Sequence, residues 1–387
     1  MGHAAMKILL ITDGLPPRVL GGTGNIVWQI AQGFAKAGHT VATLSASPAS
    51  SKSEGLVTQY TIPERTSRWA HYRSVFSWSR SREIMRIIEE VKPDIIHAHT
   101  LASQCGYRWI PLAKAKGIPI VLTAHDVMNV ACGRVKEQEK MLWFKDLRRC
   151  RISWNPLRTA IIRSMLNRHT KVWTVSDALR DFMEAHGFRN LTTLHNGIDT
   201  EFWTAQDTGS ARSTLNLPQD KTLFLLAGRL GIDKGTDLIA RTLPADAHLL
   251  LAGRADLSAF KHFGNRVHYF THQNPEQMRL LYAACDAVLV PSLCLDCFPT
   301  VCLEGMSCAR PVLATSWGGA KEAVENGKTG WVLNPLDASA WARCMQQCIE
   351  NPEACKRMGE AGRARMQEHF SLSRFLQELK KSYHESL

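Results

Sequence analysis

Two carboxylates eight residues apart, Asp296 and Glu304, stand in the segment Pro291-Ser-Leu-Cys-Leu-Asp296-Cys-Phe-Pro-Thr-Val-Cys-Leu-Glu304. The apolar run 287–290 predicts a strand that empties into a loop carrying Asp296. A helix is expected to begin near Thr300, which places Glu304 one turn in. A further strand is predicted at 312–314 and ends in Gly318-Gly319. In a parallel sheet both acids then reach the carboxyl edge, where open α/β folds bind ligands. The backbone at the helix start, from Phe298 through Pro299, Thr300 and Val301, suits a phosphate, although Pro299 brings no N–H of its own. An acid further in can hold ribose or sugar hydroxyls. The pattern reads as a nucleotide-sugar site.

A second cluster, Gly228-Arg229-Leu-Gly-Ile-Asp-Lys234-Gly235, follows a predicted strand at 222–227. Two cations five apart at a strand's carboxyl end can clamp a diphosphate, Arg229 as a planar fork and Lys234 as a point charge. Alone, the cluster also fits a solvated loop paired with Asp233 and Asp237; the acids downstream favour the clamp. Earlier in the chain, Gly21-Gly22-Thr23-Gly24 precedes a helix and permits close backbone approach to a ligand. It fails as a dinucleotide fingerprint, because Val27 stands where a small residue is needed. His125 follows the apolar run 118–123 and can hydrogen-bond a sugar hydroxyl at that edge. His97 and His99 share the end of the run 94–99, and with no third ligand at a suitable spacing no metal is expected. Cys294 and Cys297 bracket Asp296 but lack the second pair of a zinc site and read as packing residues.

These residues need strands and helices in alternation. Strands are predicted at 7–12, 40–45, 94–99, 118–123 and 171–175, with a helix at 25–37. Such spacing implies right-handed βαβ units and a parallel sheet. The pattern restarts at 222–227 and continues through 248–252, 266–270, a helix at 275–285, and the acid-bearing units. The polar stretch 199–221 is the expected junction. The expected domains are 6–200, 201–371, and a terminal helix at 372–387 that can pack back on the first. Two doubly wound sheets in series predict a cleft between their carboxyl edges.

The chain has 387 residues, enough for two domains, and its 45% hydrophobic and 21% charged content is that of a soluble globular protein. No apolar run reaches the roughly 18 residues of a membrane span. The first residues lack a signal peptide's apolar core, and Met6 is the expected natural start. Eleven cysteines without framework spacing predict reduced thiols and a cytoplasmic protein. The net charge of +12 falls wholly in residues 1–200, which hold 27 cations and 15 acids; residues 201–387 hold 20 of each. A polyanion or an anionic membrane suits the first half.

Taken in order, the motifs resemble the retaining glycosyltransferases of the GT-B fold, specifically the bacterial group called family 4 or glycosyltransferase group 1. The likeness rests on Gly21-Gly22, Gly38-His39-x-Val41, Asp94 to His99, Thr123-Ala-His125-Asp126, Val175-Ser176, His195-Asn-Gly-Ile-Asp199, Gly228-Arg229 with Lys234-Gly235, Leu303-Glu304-Gly305-Met306, Arg310-Pro-Val and Gly318-Gly319-x-x-Glu322. It implies an α/β architecture of two Rossmann-like domains facing each other across a cleft. It implies transfer of a sugar from a nucleoside diphosphate sugar to an acceptor hydroxyl, with retention and without a metal or other cofactor. The expected catalytic residues are His125, Arg229, Lys234 and Asp296. Donor contacts are expected from Gly22, Gly228, Arg229, Lys234, Phe298, Pro299, Thr300, Val301 and Glu304, and acceptor contacts from Gly21, Gly22, Thr23, His97 and His99. The family usually carries glutamate where Asp296 stands. There the first acid touches the transferred sugar and the second holds the ribose, so the shorter side chain bears on the choice of sugar.

Two basic segments carry tryptophan: 65–86, with six arginines against Glu83, and 145–171, with eight cations against Asp146. They predict an anionic-lipid surface. The acceptor is therefore expected to be a lipid-linked or lipopolysaccharide-type glycan at the inner face of a bacterial plasma membrane, and not a nucleic acid. The alternatives are a soluble small-molecule acceptor, or a non-catalytic or epimerase relative on the same fold.

Overall fold

The computed structural model describes residues 5–16, 22–47, 55–65, 69–133, 135, 154–254 and 256–387. They form two compact units. The first runs from the N-terminal part through Asn196 and is joined by Ser373–Leu387; the second comprises Gly197–Leu372 together with Val135.

The first unit is built on a seven-stranded parallel sheet. Its strands are β1 (Lys7–Ile11), β2 (Thr40–Ser47), β3 (Val57–Pro63), β4 (Ile95–Ala98), β5 (Ile120–Ala124), β6 (Lys171–Thr174) and β7 (Leu191–Thr193). Their order is β3-β2-β1-β4-β5-β6-β7. Every residue of β4 and β5 is buried, as a sheet covered on both faces requires. The helix Gly22–Lys36 turns Ile26, Val27, Ile30, Ala31 and Phe34 inward, the 3.6-residue stripe of an amphipathic helix. Strand order reverses at β1, which lies between β2 and β4.

The helix Leu372–His384 supplies Phe375, Leu379 and Tyr383 as buried residues. Phe34 stacks on Tyr383 with ring centroids 5.2 Å apart. A Cβ at Gly33 would lie 2.3 Å from Leu376 Cδ1, so the first helix has a glycine where the last one crosses it.

The second unit holds β8 (Thr222–Ala227), β9 (Ala247–Ala252), β10 (Val267–Phe270), β11 (Ala287–Val290), β12 (Val312–Thr315) and β13 (Gly330–Leu333). The parallel order is β10-β9-β8-β11-β12-β13. Phe224, Leu226, Leu249, Leu251, Leu289 and Leu313 make the sheet's side of a core closed by Ile239, Trp341 and Met345. The reversal falls between β8 and β11, and the loops at their carboxyl ends are those carrying Arg229, Lys234 and Asp296.

Three strands, β3, β7 and β13, are absent from the sequence-based expectation. All three stand at sheet edges.

Candidate active site

In the second unit two glycines fix the loop after β8. Gly228 has φ 116° and donates its N–H to the Ala252 carbonyl at 2.8 Å. A Cβ on Gly253 would lie 2.2 Å from the Gly228 carbonyl oxygen. Arg229, next along, is exposed, and among the described residues its guanidinium meets no acceptor. A single 3-10 turn, Ile232–Lys234, follows and ends at Gly235 with φ 75°. A Cβ there would meet the Pro291 carbonyl oxygen at 2.2 Å, and Leu293 donates its N–H to the Asp233 carbonyl at 2.8 Å. The loops after β8 and β11 are thus laced together.

The lacing sets Lys234 beside Asp296. Its ammonium forms an ion pair with Asp296 Oδ2, the oxygen that also accepts from Ser292 Oγ at 2.9 Å. Ser292 Oγ stands 3.5 Å from the same ammonium. The two charged side chains are 25% and 17% exposed. An ammonium has three N–H donors; Asp296 and Ser292 take two, so Lys234 keeps one for a diphosphate. The Asp296 loop is held from the other side by the double glycine after β12. Gly319 donates its N–H to the Asp296 carbonyl at 2.9 Å. A Cβ on Gly318, at φ 70°, would lie 2.3 Å from that oxygen.

Glu304 lies in the helix Thr300–Ser307 and accepts from Tyr282 Oη at 2.7 Å. Burial raises its pKa, while the hydrogen bonds from Tyr282 and Thr300 pull the other way. An ionised carboxylate has about four acceptor positions, so two remain for a vicinal diol. Pro299 opens this helix and no side chain caps it, leaving first-turn N–H groups at Thr300 and Val301 for an anion. The Phe298 ring is buried against Phe370 with centroids 5.7 Å apart. Phe298 therefore offers a ligand its backbone, not its ring. Cys294 and Cys297 are buried and form no disulfide.

In the first unit, β4 and β5 are neighbours, and the histidines at their ends meet. His99 Nδ1 and His125 Nε2 are 3.0 Å apart. His125 is partly buried, and burial lowers its pKa to about 4. Burial also holds His97 and His99 well below the ordinary imidazole value. The cluster is neutral near pH 7. His125 there gives or takes a hydrogen bond but carries no charge.

His97 departs from expectation. It is 0% exposed, with Nδ1 2.6 Å from Tyr383 Oη and Nε2 2.7 Å from Thr123 Oγ1. Both nitrogens are engaged within the core, so it has no atom to offer an acceptor. Gly22 and Thr23 begin the first helix, both partly buried; Gly21 lies outside the described residues. In the basic segments, Arg80 and Trp154 are buried at 2% and 4% exposure and are not surface anchors; 145–153 fall outside the described residues. Trp69, Phe76 and Trp78 are 47%, 56% and 53% exposed. Among the described residues no group of three His, Cys, Asp or Glu side chains can hold a metal ion, and no helix is long and apolar enough to cross a membrane.

Sequence reasoning missed Ser292, Tyr282 and Thr123, which hold Asp296, Glu304 and His97. Ser292 carried a signal, since it lies two residues past a predicted strand at the edge already singled out. Tyr282 carried none, because its partner is 22 positions away.

Comparison with known proteins bears on this arrangement. Glycosyltransferase Family 4 matches residues 20–202, and Glycosyl transferases group 1 matches residues 207–365. Glycogen synthase of Mycobacterium tuberculosis is 26% identical over 399 residues, covering 94% of this chain and 91% of that one. Sucrose-phosphate synthase from Thermosynechococcus elongatus superposes with a TM-score of 0.80 at 19% identity, over 98% of each chain. Anabaena HepE in complex with UDP gives 0.74 at 20% identity, over 98% of this chain and 100% of that one. Two Rossmann-like domains with these loops make the protein a glycosyltransferase of the GT-B fold. It belongs to the glycosyltransferases whose N-terminal half is that of Family 4 and whose C-terminal half is that of group 1.

Proposed function

We propose that this enzyme moves a sugar from a nucleoside diphosphate sugar to a hydroxyl of a glycan or lipid-linked acceptor, with retention of configuration. The observation that carries the reading is the Lys234–Ser292–Asp296 cluster at the strand-order reversal of the second unit, one turn of chain from exposed Arg229. Departure of a diphosphate from an oxocarbenium-like centre needs positive charge where negative charge grows. Arg229, Lys234 and the uncapped start of Thr300–Ser307 supply it without a metal. Glu304 takes the ribose diol, and Asp296 a hydroxyl of the sugar. His125 donates or accepts one hydrogen bond to the sugar as a neutral imidazole. No protein group is assigned as general base; the acceptor proton passes to the leaving phosphate on the same face.

The solved relative that holds UDP supports a nucleotide donor. Thermal-shift measurements over UDP, GDP, ADP and dTDP sugars test this. A ligand at about 100 times its dissociation constant adds ~2.7 kcal/mol, so one series should stand out. Labelled donor should then be hydrolysed slowly without acceptor, in the presence of EDTA. No shift with any nucleotide sugar, or activity that needs a divalent ion, refutes the reading.

For the acceptor, exposed Trp69, Phe76 and Trp78 lie among exposed Arg73, Arg82 and Arg86. That mixture favours an anionic bilayer at the cytoplasmic face of the plasma membrane over a soluble acceptor. Sedimentation with anionic vesicles should be strong at low salt and drop in an Arg82→Ser/Arg86→Ser/Trp78→Ser variant. Equal binding to neutral vesicles would leave a soluble acceptor.

A further inference from the structure

The first unit contains a cavity of about 70 Å³. It lies between Arg65, the helices Ala70–Phe76 and Trp78–Val91, and the segment from Ser103 to Gly106. By the same measure a water needs about 10–15 Å³, so there is room for a tetrahedral oxyanion. Arg65, Arg73 and Arg80 line it, with Ser77 and Gln104.

The three arginines outnumber the carboxylates that meet them: Asp13, behind the wall, accepts from Ser103 and Gln104 and not from an arginine. Among the described residues one carboxylate, Glu83, serves two of the arginines: Oε1 lies 3.1 Å from Arg65 Nη2 and Oε2 lies 2.6 Å from Arg80 Nη1. Arg80 is the buried member, its side chain 2% exposed. Its Nη2 donates to the Pro63 carbonyl at 2.7 Å, but its Nε–H meets no acceptor among the described residues. A buried donor without a partner costs as much as a lost hydrogen bond, and more on a charged group. A buried guanidinium that shares its one counter-charge is undercompensated. Arg73 is exposed and among the described residues meets no acceptor. Negative charge and several acceptor oxygens within a small volume, which these guanidinium groups lack, are what a phosphate group brings.

We propose that this cavity binds a phosphate group of the acceptor, which rests on the reading of the first unit as the acceptor half. Arg73 and Arg80 would be the recognising residues, and Glu83 the internal carboxylate that occupies the guanidinium groups when no phosphate is bound. The phosphate belongs either to a free phosphorylated sugar or to a lipid headgroup; the chemistry is the same.

Calorimetric titration of the full chain with inorganic phosphate, at saturating UDP so that Arg229 and Lys234 are occupied, tests the site. Arg73→Ser leaves the core untouched and should weaken phosphate binding about tenfold or more, as loss of a charged hydrogen bond implies. Arg80→Gln should do the same. Glu83→Gln should tighten binding severalfold by releasing both guanidinium groups, a gain no purely structural role would give. UDP affinity should be unchanged in all three. Parallel titrations with glycerol phosphate and with phosphatidic acid in phosphatidylcholine vesicles separate the two sources by which one competes with inorganic phosphate. Absence of phosphate binding, or a change below about twofold in Arg73→Ser, overturns the site. A chain that takes phosphate but not UDP would instead refute the donor reading and leave the cavity standing.

Discussion

Replacing Asp296 by Asn should tighten the binding of UDP while slowing sugar transfer. In the free protein the Lys234 ammonium is shared with the Asp296 carboxylate, itself held by Ser292. A diphosphate must compete for that ammonium and sit near a like-charged carboxylate. Two unit charges about 4 Å apart at an effective dielectric of about 20 interact by about 4 kcal/mol. The side chains are 25% and 17% exposed, and screening of exposed pairs brings net values toward about 1 kcal/mol. Between these limits, about 1–2 kcal/mol of attraction to Lys234 is returned to the nucleotide, or roughly tenfold in affinity. Asn keeps the side chain's size and can still accept from Ser292, so the loop should hold its shape. Calorimetry with UDP gives the affinity, and initial rates with the sugar nucleotide give the transfer. Affinity for UDP that is unchanged or weaker would show that Asp296 does not restrain Lys234. The charge assignment at this site would then be wrong.

Arg229→Ala and Lys234→Ala should each slow transfer by roughly 100- to 1000-fold, and near-normal turnover in either would remove the diphosphate clamp. Glu304 has a raised pKa, so its contribution to stability is present below the ordinary carboxylate value and is lost as pH rises through the raised one. Melting curves should therefore show Glu304→Gln gaining on the wild type between pH 4 and pH 8, and a constant difference would contradict the buried carboxylate. The depressed histidines act oppositely: their contribution is present above about 6.5 and is lost as pH falls toward 4, the value for His125. His125→Gln should flatten that acid-side loss, and an unaltered slope would count against a buried neutral imidazole. Gly318→Ala forces a Cβ into a left-handed residue 2.3 Å from the Asp296 carbonyl oxygen. It should cost about 2–4 kcal/mol in denaturant unfolding and weaken UDP; a silent substitution would mean that the double glycine does not hold the loop.

The interior of both sheets was legible because interior strands are apolar at nearly every position. The predicted strands at 222–227 and 287–290 coincide with β8 and β11, apolar from Leu223 in the first and throughout the second, and closed by glycine or proline. The strands that escaped notice are edges. β7 has three residues, none fully buried. β3 reads Val-Thr-Gln-Tyr-Thr-Ile-Pro with only Val57 and Ile62 buried, and β13 opens on Gly330 at φ 154°. An edge strand has one neighbour and less to cover it, so its composition resembles a loop. In the site, the loops were legible because each follows a strand. The pairing of Lys234 with Asp296, 62 positions apart, was not. It depends on Gly235 lying against Pro291 and Gly318 against Asp296, contacts that leave no pattern in the chain. His97 shows the reverse case: its type and place suggested a ligand contact, and only the distant Thr123 and Tyr383 reveal a core residue.

The bond from Tyr383 to His97 spans 286 positions, and this has a consequence for synthesis. Every strand of the first sheet has been made once the ribosome passes Thr193. The surface around Gly33, Phe34 and Trp173 must still wait for Leu376 and Tyr383. At about 5–20 residues per second, that delay is on the order of ten to forty seconds, during which the whole second unit emerges. The nascent first unit spends this time with an apolar trough open to chaperones and to other chains. Its last step of folding waits until the helix Leu372–His384 has been made. A chain cut short before Leu376 would leave the surface at Gly33 and Phe34 uncovered.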